Sequence, residues 1–420
     1  MTKVTEAWGA GSARGKVARR RQRYPTLAYL ETAARRRVPR FAFDFVEAGT
    51  GSHLGVRNNR ASFDSIQIVP RYGAAAPVST EVELFGMRYA MPIGIAPVGT
   101  DGLIWPGATL ALARTAAAAR IPYIVGTLAS ASLEKVAAIG PDSFWFQLYG
   151  MPGKDHAVSF DLMKRAASAG AHALVVTLDA PVRPRRPKDM RNGLVVPFRP
   201  TLKTIIDVAS SPLWALQLLK AGTPGFPNVE PYLGVKPTLS ASAGFVQREI
   251  RGTFSWEELR RVREQWPRAL VVKGVLHPAD AEQAVAIGAD GVLVSNHGGR
   301  QSDAAPPAID VLPAIVDAVG AKTTVLFDSG IQSGLDAMRA LALGARAVFC
   351  GRAFLYGLGG LGDSGSDYVA ELLNDELRTA MAQHGIATLG QLPDAERRHP
   401  TAFHFTHRAA TAPSLNEATG

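Results

Sequence analysis

From residue 91 onward, eight short β-rich apolar runs alternate with alanine-rich stretches of helical periodicity, and this alternation constrains the fold more than any other feature. The runs are MPIGIAPV (91–98), IPYIVGT (121–127), SFWFQLY (143–149), ALVVTLD (173–179), ALVVKG (269–274), DGVLVSN (290–296), TTVLFDS (323–329) and ARAVFCG (345–351). Helical patterns fall between them at 107–119, 132–139, 154–169, 256–265, 278–287, 308–319 and 333–343. Strands covered by helices on one side and packed side chains on the other have no wet face, and these runs are almost continuously apolar. The pattern predicts an α/β chain folded as a (β/α)8 barrel of the TIM type rather than an open sheet. With 47% hydrophobic residues, the chain can fill such a barrel.

Two additions break the regularity. Residues 24–90 predict an amino-terminal extension, with a helix near 26–37 and a hairpin around 80–90. Residues 180–255 form a long excursion between the fourth and fifth strands, rooted over the active face and read as a lid. Its apolar part, TIIDVASSPLWALQLLK, also resembles an interfacial membrane segment, the less favoured reading. The expected organisation is a basic, disordered tail over 1–23, one barrel domain over 24–400 and a flexible tail over 401–420. The net charge of +10 raises a nucleic-acid hypothesis. Its excess gathers in RGKVARRRQR and VRPRRPKDMR, without the interleaved aromatics of a single-strand binding surface, so no nucleic-acid partner is expected. One cysteine, Cys350, excludes an internal disulfide and suits a reducing, cytoplasmic setting; it falls within the eighth strand as a small buried residue. No secretory signal, no transmembrane run and no metal-ligand spacing is read.

Catalysis in this fold collects at the carboxyl ends of the strands. Those ends supply Pro97, Val98 and Gly99; Gly126; Gln147 with Tyr149; Thr177 with Asp179; Lys273; Ser295 with His297 and Arg300; Asp328 and Gly330; and Gly351 with Arg352. Within VLVSNHGGRQSD (292–303), His297 can exchange a proton near neutral pH and Arg300 can grip a carboxylate through two parallel hydrogen bonds. A base beside an anion clamp points to chemistry on a small acid. Lys273 at the end of an apolar strand is hard to explain structurally, because an unpaired buried ammonium is costly. Blander readings stand beside these: Asp179 and Asp328 as helix caps, Arg186 as part of a solvated basic run.

The motifs SNHGGRQ (295–301), IAPVG (95–99), WFQLY (145–149), VKG (272–274) and LGARAVFCGRA (343–353) resemble the FMN-dependent α-hydroxy acid oxidase and dehydrogenase family, over about 24–390. The resemblance implies FMN as cofactor and oxidation of a 2-hydroxy acid to the 2-oxo acid, with oxygen or a quinone as electron acceptor and a homotetramer or larger assembly. It makes His297 the base and Asp179 the group that stabilises its protonated form. It puts Arg300, Arg186 and Tyr149 on the substrate, and Pro97, Val98 and Gly99 at the reactive edge of the flavin. Gly126, Gln147, Thr177, Lys273 and Ser295 then bind the ring system, Asp328 meets the ribityl chain, and Ser329, Gly330, Ile331, Gln332, Gly351 and Arg352 make the phosphate site. Three positions depart from the family pattern. Phe45 replaces a tyrosine that helps hold the substrate carboxylate, Gly126 a serine, and Gln332 an arginine of the phosphate loop. Gly99 is expected to leave more room beside the flavin than alanine would. Phe45 shifts the expected substrate toward bulky or aromatic hydroxy acids. The rival readings are a flavin-dependent barrel isomerase and a non-redox barrel that binds a phosphate ligand; the pairing of His297 with Arg300 favours oxidation.

Overall fold

Each of the eight runs becomes a strand in the computed structural model, and the strands close into a barrel. They are β1 (Ile93–Ile95), β2 (Tyr123–Gly126), β3 (Phe144–Tyr149), β4 (Ala173–Thr177), β5 (Ala269–Val275), β6 (Gly291–Val294), β7 (Thr324–Asp328) and β8 (Ala347–Cys350). All neighbours are parallel, and the β8–β1 and β6–β7 pairings complete the ring. The structure describes residues 18–73, 77–182, 184–194, 201–250 and 252–405, so most of the basic tail and the end of the C-terminal tail lie outside the described residues.

Side chains alternate between the inside and the helical shell, as strand geometry demands. Ile124, Trp145, Val175, Val271, Leu293, Leu326 and Phe349 fill the interior, while Leu174, Val176, Leu270 and Val272 pack outward in the main core. The expected hairpin forms from strands Val82–Leu84 and Met87–Tyr89, and its Val82, Leu84 and Tyr89 join the interior cluster. Trp145 Nε1 donates to the Tyr89 hydroxyl at 2.9 Å, tying this plug to β3.

The predicted amino-terminal helix spans Leu27–Arg37, and two further helices follow it, Arg40–Glu47 and Leu54–Ser65. After β8 the chain forms Arg352–Leu361 and Ser364–Gln383. Helix Arg352–Leu361 packs closely on Leu27–Arg37 because a Cβ on Gly359 would stand only 2.9 Å from that of Ala34.

The excursion after β4 is more ordered than a long loop: it holds helices Pro187–Arg191, Leu202–Ala209, Pro212–Ala221 and Leu239–Glu249. Helix Pro212–Ala221 fastens to the rim through its polar and aromatic side. Trp214 Nε1 donates to Leu103 O at 3.2 Å, and Gln217 Nε2 to Pro106 O at 2.9 Å. Its Leu213, Leu216 and Leu219 are exposed, as are Leu202, Ile205 and Ile206 of the preceding helix.

Candidate active site

Strand pairing places the carboxyl ends of β3, β4, β5 and β6 side by side, with Tyr149 opposite Thr177 and Thr177 opposite Lys273. Gln147 Nε2 donates to Thr177 Oγ1 at 3.0 Å, while its Oε1 accepts from Thr127 N at 3.2 Å, which fixes the amide's orientation. Lys273 Nζ donates to Ser295 Oγ at 2.6 Å and pairs with Asp328 at 3.2 Å. Burial opposes the lysine's charge, but Asp328 and then Asp179 outweigh it and raise the pKa, so Lys273 is an ammonium.

A break in β5 makes room for the next group. The ladder shifts register between Lys273 and Val275, and Gly274 sits at φ +95°, where a Cβ would press into the Asp179 side chain at 2.6 Å. Asp179 Oδ1 lies 2.9 Å from His297 Nδ1, and Gln301 Nε2 holds the Asp179 carbonyl at 2.8 Å. Burial pushes the Asp179 carboxyl up, but His297 and Lys273 outweigh it, so the group lies below the usual carboxylate range. His297 adopts the left-handed backbone at φ +57° and donates its N–H to Ser295 Oγ at 3.0 Å. With Nδ1 committed to Asp179, Nε2 is the ring atom left to exchange a proton. Neither aspartate caps a helix: Ser333 caps Gly334–Ala342, and Asp328 accepts from Ser329 Oγ at 2.8 Å.

Two half-buried arginines grip the carbonyl end of helix Arg40–Glu47, where the helix dipole is negative. Arg300 Nη1 donates to Phe45 O at 2.8 Å and Ala48 O at 2.7 Å. Arg352 donates to Val46 O at 2.8 Å, Ala48 O at 3.0 Å and Gly298 O at 2.8 Å. The Phe45 ring lies under Arg300, 5.1 Å from guanidinium carbon to centroid. Burial, then Arg186 and Arg352, push the Arg300 pKa well below the arginine range, so this site gains from a bound anion. Arg186 opens helix Pro187–Arg191, which is latched by Lys188 to Glu47, by Asn192 to Asp44 at 2.8 Å, and by Thr50 Oγ1 to Arg185 O at 2.9 Å. Burial, then Asp179, pushes the Tyr149 phenol above its usual range, outweighing the opposing pull of Lys273, Arg186 and Arg300.

The loop after β7 turns through two left-handed residues, Ser329 at φ +88° and Gly330 at φ +99°, with Ile331 buried behind them. Ser329 Oγ accepts from Asn296 N at 3.2 Å and Gly298 N at 3.0 Å. The Gln332 N–H goes to Asp336 Oδ2 at 3.0 Å. Gly351 approaches Val98, which a Cβ would meet at 3.3 Å, and a Cβ on Gly126 would meet Val98 O at 3.2 Å. At Gly99, a Cβ would stand 3.0 Å from Leu128 Cβ, a tight contact that glycine avoids.

This donor set suits FMN. An amide, two hydroxyls and an ammonium converge from neighbouring strand ends, and the β7 and β8 ends carry the close-approach backbone that a phosphate requires. The sequence reading missed Gln301 as the support of Asp179. It also missed the reciprocal amide pair Asn59–Asn296, at 2.9 and 2.7 Å, which ties helix Leu54–Ser65 to the loop of His297. Gln301 stood within a quoted motif; Asn59 carried no local signal, because its partner lies 237 residues away.

Residues 34–398 match the family model described as FMN-dependent dehydrogenase. The L-lactate dehydrogenase of Caulobacter vibrioides is 39% identical over 362 residues, covering 86% of this chain and 94% of that protein. The 4-hydroxymandelate oxidase of Amycolatopsis orientalis is 40% identical over 368 residues, covering 87% and 96%. Among solved structures, the monotopic membrane protein (S)-mandelate dehydrogenase superposes with a TM-score of 0.83 at 35% identity, over 89% of this chain and 99% of that one.

Proposed function

The chain belongs to the FMN-dependent dehydrogenase family and is an oxidoreductase of the CH–OH group of 2-hydroxy acids; from that premise we propose how its residues divide the work. Gly126, Gln147, Thr177, Lys273 and Ser295, with the backbone of Pro97, Val98 and Gly99, hold the flavin ring. Asp328 serves the ribityl chain, and Ser329, Gly330, Ile331, Gln332, Gly351 and Arg352 serve the phosphate. Bound FMN supplies the two-electron acceptor. Arg300 and Arg186 receive the substrate carboxylate, and Tyr149 orients it. His297 Nε2 takes the proton of the substrate hydroxyl, and Asp179 stabilises the imidazolium through Nδ1. The Lys273 ammonium opposes negative charge that develops at the ring. The His297–Asp179 contact at 2.9 Å is the observation that carries the acid–base assignment.

Phe45 directs the substrate class. Its ring stacks beneath Arg300 and offers apolar surface where a tyrosine would offer a hydroxyl. A hydrogen bond to a charged group contributes about 1.5–3 kcal/mol, so its loss costs a small hydroxy acid about 10–150-fold. A larger acid recovers that by burying its side chain, at about 25 cal/mol per Å² of apolar area. The relatives named for mandelate and 4-hydroxymandelate support a bulky or aromatic 2-hydroxy acid. In a kcat/KM series, mandelate and 2-hydroxyoctanoate should exceed glycolate and lactate, and Phe45→Tyr should raise the two small acids. Wild-type preference for glycolate or lactate over both larger acids contradicts this reading.

The exposed faces of helices Leu202–Ala209 and Pro212–Ala221 favour peripheral membrane association over the lid expected from sequence. A lid turns its apolar residues toward the site; these point away from the barrel rim to which Trp214 and Gln217 are fastened. Residues 183–222 carry eight Lys or Arg against two Asp, and those other than Arg186 and the Glu47-paired Lys188 suit anionic headgroups. No helix among the described residues is long and apolar enough to cross a membrane. The monotopic mandelate dehydrogenase supports membrane association, and from that position the protein would pass its electrons to a membrane quinone.

A further inference from the structure

One part of the excursion runs inward. In TPGFPNVEP (223–231), Phe226 and Val229 are buried and Asn228 is buried completely. Asn228 Oδ1 accepts from Leu133 N at 2.8 Å, satisfying one of the donors that the start of helix Leu133–Ile139 leaves without an intrahelical partner. Its Nδ2 donates to Thr127 O at 3.3 Å and reaches Gly126 O at 3.5 Å. The backbone is pinned as well: Asn228 O accepts from Arg165 Nη1 at 2.9 Å, and Arg165 Nη2 is held by Glu134 at 2.8 Å.

The peptide that Asn228 grips leads to the flavin side of the barrel. Thr127 N donates to Gln147 Oε1 at 3.2 Å, and Thr127 Oγ1 to Gln147 O at 2.7 Å. Gln147 Nε2 in turn donates to Thr177 Oγ1 at 3.0 Å. A continuous set of buried hydrogen bonds therefore runs from Asn228 through Thr127 and Gln147 to Thr177. The barrel ladder does not supply the amide at its head. That amide comes from 101 residues beyond Thr127, out of the segment inserted between β4 and β5.

We propose that Asn228 is a positioning residue for the cofactor: it sets the peptide planes of Gly126 and Thr127 and, through Thr127, the Gln147 amide presented to the flavin. This rests on the reading of Gln147 as a flavin ligand. If Asn228 only held the segment 223–231 in place, its loss would lower stability and leave the affinity for FMN alone. As a positioning residue its loss changes what the flavin experiences. The excursion then completes the cofactor site from below its exposed helices.

The test replaces Asn228 with Asp, which keeps the acceptor for Leu133 N and turns the donor toward Thr127 O into a second oxygen. Asn228→Ser is the variant read if Asn228→Asp fails to fold. The FMN Kd, from flavin fluorescence on diluting the holoenzyme, and the flavin midpoint potential are measured beside the Tm. Either variant should raise the FMN Kd on the order of tenfold, the scale of one buried hydrogen bond lost, and should move the potential. Tyr232→Phe, which removes the hydroxyl contacts with Asp161 and, at 3.3 Å, with Arg165 just beyond that segment but leaves the Asn228 side chain intact, should lower Tm with little change in FMN Kd. Wild-type FMN Kd and potential in the Asn228 variant overturn the proposal, and so does an equal loss of FMN in Tyr232→Phe. Gln147→Leu separates the two readings. If it weakens FMN while the Asn228 variant does not, only the positioning role fails; if neither does, the flavin-ligand reading of Gln147 fails with it.

Discussion

At Asp179, burial acts against the charge of one carboxylate while His297 and Lys273 favour it, and the two neighbours win. A group whose folded pKa lies below its unfolded value contributes stability above the unfolded pKa, about 3.9 for aspartate. That contribution is lost as pH falls through the folded value. The stability difference between wild type and Asp179→Asn should therefore be constant near neutrality and narrow once the pH drops below about 4; chemical denaturation across that range checks it. A difference that instead widens on acidification means that Asp179 is not held charged by His297 and Lys273. His297, Arg300 and Lys273 were legible in the sequence because each is a costly residue type at the end of an apolar strand. What the sequence could not show at Gly99 is its neighbour: Leu128, from the next strand's loop, would stand 3.0 Å from an added Cβ. Nor did the sequence show that Arg300 and Arg352 are partly spent on the carbonyls of Phe45, Val46, Ala48 and Gly298, since those contacts join distant segments.

Elements were legible where periodicity and burial agree. The helices expected at 256–265 and 308–319 appear as Trp256–Gln265 and Ala308–Val319. The last barrel helix, Arg352–Leu361, escaped because FLYGLGGL looks like a turn-rich segment; its glycines instead permit contact with Leu27–Arg37. Helix Pro212–Ala221 inverts the usual amphipathic rule. Its anchoring contacts come from Trp214, Gln217 and Leu218, while Leu213, Leu216 and Leu219 face outward, so sequence alone could not say which side was free. Membrane docking at this element has a direct check. Wild type should cosediment with vesicles containing phosphatidylglycerol, and Leu216→Ser with Leu219→Ser should weaken binding by about tenfold or more, since burying a leucine contributes about 1.5–3 kcal/mol. Equal sedimentation of wild type and the double variant removes these helices from any membrane contact.

At the scale of the whole molecule, the barrel brings residues from eight separate strands to one rim, so chemistry dispersed over more than two hundred positions becomes a single site. The order of the strands and the polarity of their ends were enough to expect this. The supports behind the site were not visible, because Asn59, Asn228 and Gln301 act through tertiary contacts without local pattern. One acid–base pair beside one carboxylate clamp carries the proposed chemistry. The direct measurement is anaerobic stopped-flow reduction of the bound flavin by (S)-mandelate in wild type and in His297→Asn. Wild type should bleach, and the variant should retain its FMN yet bleach about 10²–10⁴-fold more slowly, the usual range for losing a general base. Flavin reduction at a near-wild-type rate in His297→Asn would contradict the account.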